Sequence, residues 1–228
     1  MKISFLTLKI FFCLLFVSNV SVSLAQTTNS PLKEISPGIF QLGLVQLDKE
    51  QKTIQFPASV NMTNGLIEYF VVTGTGKLHE SILKTEIEPS QIHLAMLLIG
   101  AEGTPTNSSS TNISGDKLTI DVSWKDGGIA KRFPAEDFIL HNKGKSPMAK
   151  EGWIYNGSKI MDGTFIAQRD GSIVSIITDQ LALANCLHPE HDNDEIWFVN
   201  TNVVPALNTK VEVTLKLKSQ QKNTKEPR

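Results

Sequence analysis

The sequence predicts an α+β domain that is mainly β, in which antiparallel hairpins pack around one buried helix at about residues 89–99. Segments rich in β-branched and apolar residues recur along the chain, and turn-forming residues separate them, which indicates strands. An almost unbroken apolar run between Pro89 and Gly100 indicates the helix, because proline suits the first helical turn and glycine suits the end. Sheet is expected to cover this helix on nearly all sides, although a central strand is the alternative for so short a run.

Turn-forming residues between apolar segments predict where the hairpins lie. The paired segments are 39–47 with 53–62, 66–73 with 77–84, and 117–124 with 129–133. Gly74 and Gly76 supply the positive φ of the middle turn, and Asp126-Gly127-Gly128 makes the last one. Further short strands are expected at 152–155, 164–167, 173–177, 195–199 and 211–217, with a helical turn at 134–138.

The first 25 residues predict export. Residues 3–17 are almost wholly apolar, Lys2 precedes them, and Ser23-Leu24-Ala25 supplies small side chains at a signal peptidase site. We therefore expect a signal peptide at 1–25 and a periplasmic or secreted protein. A retained membrane anchor is the alternative, but the apolar run is shorter than the roughly 20 residues that span hydrocarbon. No later run approaches that length, so no membrane span is expected after cleavage.

The rest of the chain is expected to form a single domain with polar ends. Residues 26–37 are polar and contain two prolines, which predicts a flexible lead-in. Residues 38–218 show no repeat and no composition break, which favours one β-rich domain. Residues 219–228 are nearly all polar or charged, and we expect a disordered tail because they have little apolar surface to bury.

Charge and cysteine content exclude several classes of protein. Lys and Arg number 22 against 23 Asp and Glu, and the basic residues are scattered except after Lys210. Nucleic-acid binding needs a basic patch that displaces counterions, so no nucleic-acid partner is expected. Cys13 lies in the expected signal peptide, which leaves Cys186 with no disulfide partner. A lone cysteine of this kind is expected to be a buried small hydrophobe.

His79, Glu80 and His93 are the first candidate ligand or metal site. Two neutral imidazoles and a carboxylate suit a divalent transition metal. Alternation along a strand would place His79 and Glu80 on opposite faces, which disfavours a shared ion. The favoured interpretation is therefore structural hydrogen bonding between this strand and the start of the helix, where the helix dipole keeps His93 neutral.

Cys186, His188 and His191 are a weaker candidate, with Asp192, Asp194 and Glu195 following them. Thiolate, imidazole and carboxylate together bind copper or zinc. The spacing matches no structural zinc pattern, and no methionine follows Met161 to complete a blue-copper site. A solvated acidic loop is the favoured interpretation.

No catalytic residue is expected. Gly157-Ser158 and Gly171-Ser172 lack the Gly-x-Ser-x-Gly elbow of serine hydrolases, and both are typical of turns. The aspartates offer no pair whose spacing indicates acid–base catalysis.

Several short segments resemble the signature of the YdjY-type domain family. They are Val60-Asn61, Gly65-Leu66-Ile67-Glu68-Tyr69-Phe70, Gly76-Lys77-Leu78-His79-Glu80-Ser81, Ile92-His93-Leu94-Ala95 and Leu98-Ile99-Gly100, with looser similarity at Trp153, Tyr155, Gly157-Ser158 and 211–217. The resemblance implies an exported bacterial protein without an established activity. Some relatives are associated with iron–sulfur clusters, which need about four cysteines, so that cofactor is excluded here.

The functional expectation is an exported non-enzymatic binding domain whose partner is another envelope protein or a small ligand. The alternative is a copper- or zinc-type metal-binding protein, or a metal-dependent enzyme, that uses His79 and His93. No cofactor is expected under the first hypothesis, and a divalent transition metal under the second.

Overall fold

A computed structural model describes residues 32–105, 113–141 and 146–218 of the chain. The expected signal peptide, the expected tail and residues 26–31 of the expected lead-in lie outside the described residues. Within these ranges, no helix has both the length and the apolar character that crossing a membrane requires.

The described residues are mainly β. The strands are β1 Lys33–Ser36, β2 Ile39–Leu42, β3 Val45–Asp48, β4 Thr53–Val60, β5 Tyr69–Thr73, β6 Ser81–Thr85, β7 Asp116–Asp126, β8 Ile129–Pro134, β9 Ile139–His141, β10 Ser146–Pro147, β11 Trp153–Tyr155, β12 Ile160–Met161, β13 Thr164–Phe165, β14 Ser172–Ser175, β15 Ala184–Cys186, β16 Trp197–Val199 and β17 Lys210–Leu217. The α-helices are α1 Pro89–Leu98 and α2 Ile166–Asp170, and 3-10 helices span Leu78–Glu80 and Ala135–Phe138.

The principal sheet closes on itself. Its strands run in the order β4, β17, β7, β11, β15, β14, β5 and β6, and β6 pairs again with β4. Strands β1, β2 and β3 extend the sheet outward from β4, and β8 pairs with β7. A closed sheet has an inner face on which alternate residues of each strand meet, and this pattern explains why β-branched and apolar residues dominate the chain.

The core lies inside this closed sheet and beneath α1. Phe70, Phe138 and Trp153 are fully buried there, with the Phe70 ring 5.9 Å from each of the other two. Ile92 and Met96 of α1 join the same core. These aromatic and aliphatic side chains supply most of the apolar area that stabilises the fold.

Helix α1 agrees with its predicted position, but the expectation that sheet covers it on nearly all sides is wrong. The helix packs against β3, β4 and α2. Its opposite side exposes 45% of Leu94 and 48% of Leu97. The apolar run therefore exceeds what the core can cover, and part of it lines a surface cavity.

The middle predicted hairpin is also wrong, because β5 and β6 pair in parallel. The first residues of the expected return strand form the 3-10 helix Leu78–Glu80. Side chains satisfy the carbonyls of this turn: Asn61 Nδ2 donates to Leu78 O at 2.6 Å, and Ser81 Oγ donates to Lys77 O at 2.5 Å. The chain then enters β6, which runs parallel to β5.

The other predicted hairpins are found with shifted limits. β7 and β8 pair around Gly127 and Gly128, both with positive φ, as predicted. The first hairpin is a three-stranded meander, because Gly43, with φ 60°, turns the chain between β2 and β3. Residues 33–36 of the expected lead-in form β1, which pairs with β2 through the backbone while its side chains stay exposed.

Candidate functional site

A cavity of about 740 Å³ lies beside α1, between the end of β11 and the short β12–β13 hairpin. Its lining residues are Ser90, His93, Leu97, Gly103, Thr104, Pro105, Tyr155, Asn156, Gly157, Ser158, Lys159, Ile160, Met161 and Phe165. Small-molecule sites are usually of this size, with apolar walls and a few polar groups.

His93 and Tyr155 form the polar centre of the cavity. Helix α1 buries Ile92 in the core, which directs the neighbouring His93 toward the end of β11. Tyr155 ends β11, and its hydroxyl oxygen lies 2.6 Å from His93 Nδ1. The His93 ring also packs against Phe165, with ring centroids 5.0 Å apart.

Both members of this pair are neutral near pH 7. Burial lowers the pKa of His93 and raises the pKa of Tyr155, because an apolar environment disfavours the charged form of either group. The sequence predicts a neutral His93 from its position near the helix N-terminus, and burial favours the same state.

The chain leaves β11 through two residues in the left-handed region. Gly157 has φ 78° and Ser158 has φ 61°. Ser158 is held there because its Oγ donates to Leu181 O at 2.5 Å and accepts the Ala167 N–H at 3.1 Å. A non-glycine residue in this region is strained, and surrounding contacts must maintain it. The predicted turn at Gly157-Ser158 thus shapes one wall of the cavity.

Two buried asparagines support the cavity from behind. Asn156 Nδ2 donates to Ala182 O at 2.7 Å, and its Oδ1 accepts from Asn185 Nδ2 at 2.7 Å. Asn185 also donates to Asp179 O at 2.8 Å and accepts the Asp179 N–H at 2.7 Å. A fully satisfied network of this kind rigidifies the segment that carries it.

The loop after α1 packs directly on the end of β11. A Cβ on Gly103 would lie 2.6 Å from Asn156 O, so only glycine permits this approach. Thr104 N–H then donates to Asn156 O at 2.9 Å. The backbone of this loop is thus fixed at the rim of the cavity.

His79 and Glu80 lie together in the 3-10 helix, away from the partners of His93. The His79 side chain is 80% exposed, and its Nε2 lies 3.5 Å from Glu80 Oε2. Glu80 pairs with Lys77 at 3.1 Å, and Lys77 also lies 3.3 Å from Glu68. The strand on which the sequence argument placed His79 and Glu80 is replaced by this helical turn.

Cys186 and His191 have separate partners. Cys186 ends β15 and is buried, its Sγ accepts the His188 backbone N–H at 3.2 Å, and burial raises its pKa to about 12. The Cys186 thiol is therefore protonated at physiological pH and is a poor nucleophile.

His191 Nδ1 lies 3.3 Å from Thr178 Oγ1, and the same hydroxyl contacts the Asp192 carboxylate.

His188 packs against His141 and Trp197, with ring centroids 5.3 Å and 4.9 Å away. Its Nδ1 accepts the Glu190 backbone N–H at 3.1 Å, and the Glu190 carboxylate lies 2.8 Å from His141 Nε2. Burial and the nearby His141 lower the pKa of His188. Within the three described ranges, no group of three or more His, Cys, Asp or Glu side chains is arranged to hold a metal ion.

Sequence reasoning missed Tyr155, Phe165 and Lys159 as site residues. A signal was available in the Asp162-Gly163 pair, which is typical of a tight hairpin and has φ values of 50° and 76°. The apolar Ile160 and Met161 beside it belong to a two-stranded hairpin that the core does not bury. Ile160 and Met161 both line the cavity.

Comparisons with known proteins agree with the resemblance seen in the sequence. The chain is 24% identical over 215 residues to the uncharacterized protein YdjY of Escherichia coli (strain K12), covering 90% of this chain and 92% of that protein. No solved structure matches the chain. The sequence profile of the YdjY domain matches residues 45–216, which include α1, β11 and the β12–β13 hairpin. This chain therefore belongs to the YdjY domain family.

Proposed function

We propose that this protein is an exported, non-enzymatic binding domain that takes a small, largely apolar molecule into the cavity between α1, the end of β11 and the β12–β13 hairpin. The observation that carries the proposal is the cavity itself, about 740 Å³ in volume with apolar side chains around one histidine–tyrosine pair. Helix α1 and the β12–β13 hairpin both contribute residues to the cavity lining, so the helix and a hairpin together form the site.

The exposed apolar side chains at the cavity support binding. Leu97 is 48% exposed, Met161 50% and Ile160 74%. Leaving such side chains in water costs about 25 cal/mol for each Å² of apolar surface. A ligand that covers them recovers part of that free energy, so the surface favours an apolar occupant.

The rigidity of the cavity supports binding over catalysis. Asn156, Asn185 and Ser158 fix the wall through side-chain hydrogen bonds, so a ligand does not have to order this segment. Preorganisation of this kind raises affinity. His93 and Tyr155 are both neutral, and the cavity lining of the described residues contains no activated nucleophile.

Titration calorimetry with decanol tests the proposal, because this alcohol is apolar except for one hydroxyl. We expect saturable binding to the purified protein. Leu97→Trp places a larger side chain at the cavity and should weaken binding about tenfold or more, since overpacking costs roughly 1–3 kcal/mol.

The matched control is Leu207→Trp, at a leucine that is 56% exposed and does not line the cavity. This variant should bind decanol as the unmodified protein does. Absence of saturable binding, or equal loss in both variants, would overturn the proposal.

Export is the second part of the proposal, and the apolar segment at residues 3–17 supports it. Cleavage after Ala25 would give a mature protein beginning at Gln26. Intact-mass measurement of protein recovered from the extracytoplasmic fraction of the producing cells tests this. A full-length mass in the cytoplasmic fraction would contradict it.

A further inference from the structure

Several polar side chains of the cavity already form hydrogen bonds with other groups of the protein. Asn156 and Ser158 use their side-chain groups in the wall network. Thr104 Oγ1 donates to Ser114 O at 2.7 Å and accepts the Ser114 N–H at 3.2 Å. These groups are satisfied internally, so they are poor candidates for binding a ligand.

The hydrogen-bond network assigns the tautomer of His93. Tyr155 is buried, and among the described residues its hydroxyl hydrogen has one acceptor, His93 Nδ1. If Nδ1 carried a proton instead, that hydroxyl hydrogen would have no acceptor, which is costly in a buried site. Tyr155 therefore donates to Nδ1, and the neutral imidazole carries its proton on Nε2.

His93 Nε2–H is therefore a donor without a hydrogen-bond partner among the described residues. The imidazole lines the cavity. A donor of this kind recognises a ligand that carries an acceptor, such as a carbonyl, hydroxyl or carboxylate oxygen.

The positive charge of Lys159 favours an anionic acceptor over a neutral one. The Lys159 ammonium carries three N–H donors and gives one to the neutral Gln180 Oε1 at 2.7 Å, so donors remain for a ligand. Lys159 is the one lysine or arginine among the described lining residues, which include no aspartate or glutamate. A cation and a neutral donor in an apolar cavity favour an anion, because charge-assisted hydrogen bonds are about twice as strong as neutral ones.

We infer that the ligand is an amphiphilic monocarboxylate, with its carboxylate bound by His93 Nε2–H and the Lys159 ammonium and its hydrocarbon chain against Leu97, Met161 and Phe165. The inference rests on the proposed function, because it names the chemical class of molecule that the same cavity takes. A second carboxylate on the ligand would find no second cation among the described lining residues.

Titration of the purified protein with decanoate, decanol and decyltrimethylammonium tests the inference, because the three share one alkyl chain and differ in the head group. Decanoate should bind about tenfold or more tightly than decanol, since hydrogen bonds to charged groups exceed neutral ones by that factor. Decyltrimethylammonium should bind most weakly, because Lys159 repels it.

Two variant pairs assign the head-group contacts. Lys159→Met should reduce decanoate affinity to about that of decanol measured in the same variant, while Lys49→Met, at an exposed lysine in the β3–β4 turn, should preserve the preference for decanoate. His93→Gln retains a donor near the Nε2 position and should preserve more of the decanoate preference than His93→Leu does.

The outcomes separate this inference from the proposed function. A preference for decanoate that Lys159→Met abolishes supports both. Equal binding of all three ligands, or tightest binding of the ammonium, overturns the carboxylate inference and leaves the apolar cavity as a binding site. Failure of all three to bind overturns both.

Discussion

Removing the Tyr155 hydroxyl tests the geometry on which the candidate site depends. Tyr155 is 1% exposed, and Tyr155→Phe keeps the ring and its packing while deleting the oxygen that lies 2.6 Å from His93 Nδ1. A hydrogen bond of this kind contributes about 1 kcal/mol to the free energy of unfolding. We therefore expect Tyr155→Phe to lose about 1 kcal/mol.

For a domain of this size, that loss corresponds to a fall of about 2–4 °C in the melting temperature. Urea unfolding followed by tryptophan fluorescence measures the free energy, and the ¹⁵N chemical shifts of the His93 ring report the environment of Nδ1. The matched control is Tyr69→Phe, which deletes a hydroxyl that donates to Asp179 at 3.1 Å. The control should lose similar stability without changing the His93 shifts.

The assignment would be refuted if Tyr155→Phe unfolded at the same urea concentration as the unmodified protein and left the His93 Nδ1 shift unmoved. That result would mean that the hydroxyl and the imidazole are not hydrogen-bonded in solution. The tautomer assigned to His93, and with it the unpartnered Nε2 donor, would then lose its basis.

Further predictions concern other buried titratable groups and the metal hypothesis. Burial raises the pKa of Glu136, so the free energy of unfolding should fall as pH rises through the folded pKa of this group. Glu136→Gln should therefore raise the melting temperature at pH 7, and an unchanged melting temperature would contradict this. Burial lowers the pKa of His93, so the free energy of unfolding should fall as pH drops from the unfolded-state pKa of about 6.5 toward the folded-state pKa. His93→Gln should remove this pH dependence. The Cys186 thiol, with a pKa of about 12, should resist iodoacetamide in the folded protein and react after unfolding in guanidinium; rapid native alkylation would show that the site is open. Protein purified without chelator should contain substoichiometric copper, zinc and iron. If it instead contained stoichiometric metal, and the double variant His79→Ala, His93→Ala lost that metal, the metal alternative would be established.

The sequence was enough to predict the elements whose limits are set by the residues at their own ends. Pro89 at the first helical turn and Gly100 after the last one limit α1, and Gly127-Gly128 makes the β7–β8 turn, because glycine there adopts φ angles that other residues avoid. The YdjY resemblance and the mainly β character likewise came from the sequence.

The tertiary structure alone decided how these elements meet. The β5–β6 pairing is parallel, and Asn61, far away in sequence, donates to Leu78 O in the connection and to Ser81 O at the start of β6. Periodicity correctly marked the apolar run in α1 but could not show that Leu97 faces a cavity. His93 and Tyr155 are 62 positions apart, and their contact depends on where β11 ends beneath α1. Side-chain periodicity reports which face of an element is buried, whereas a binding site depends on which distant element covers the other face.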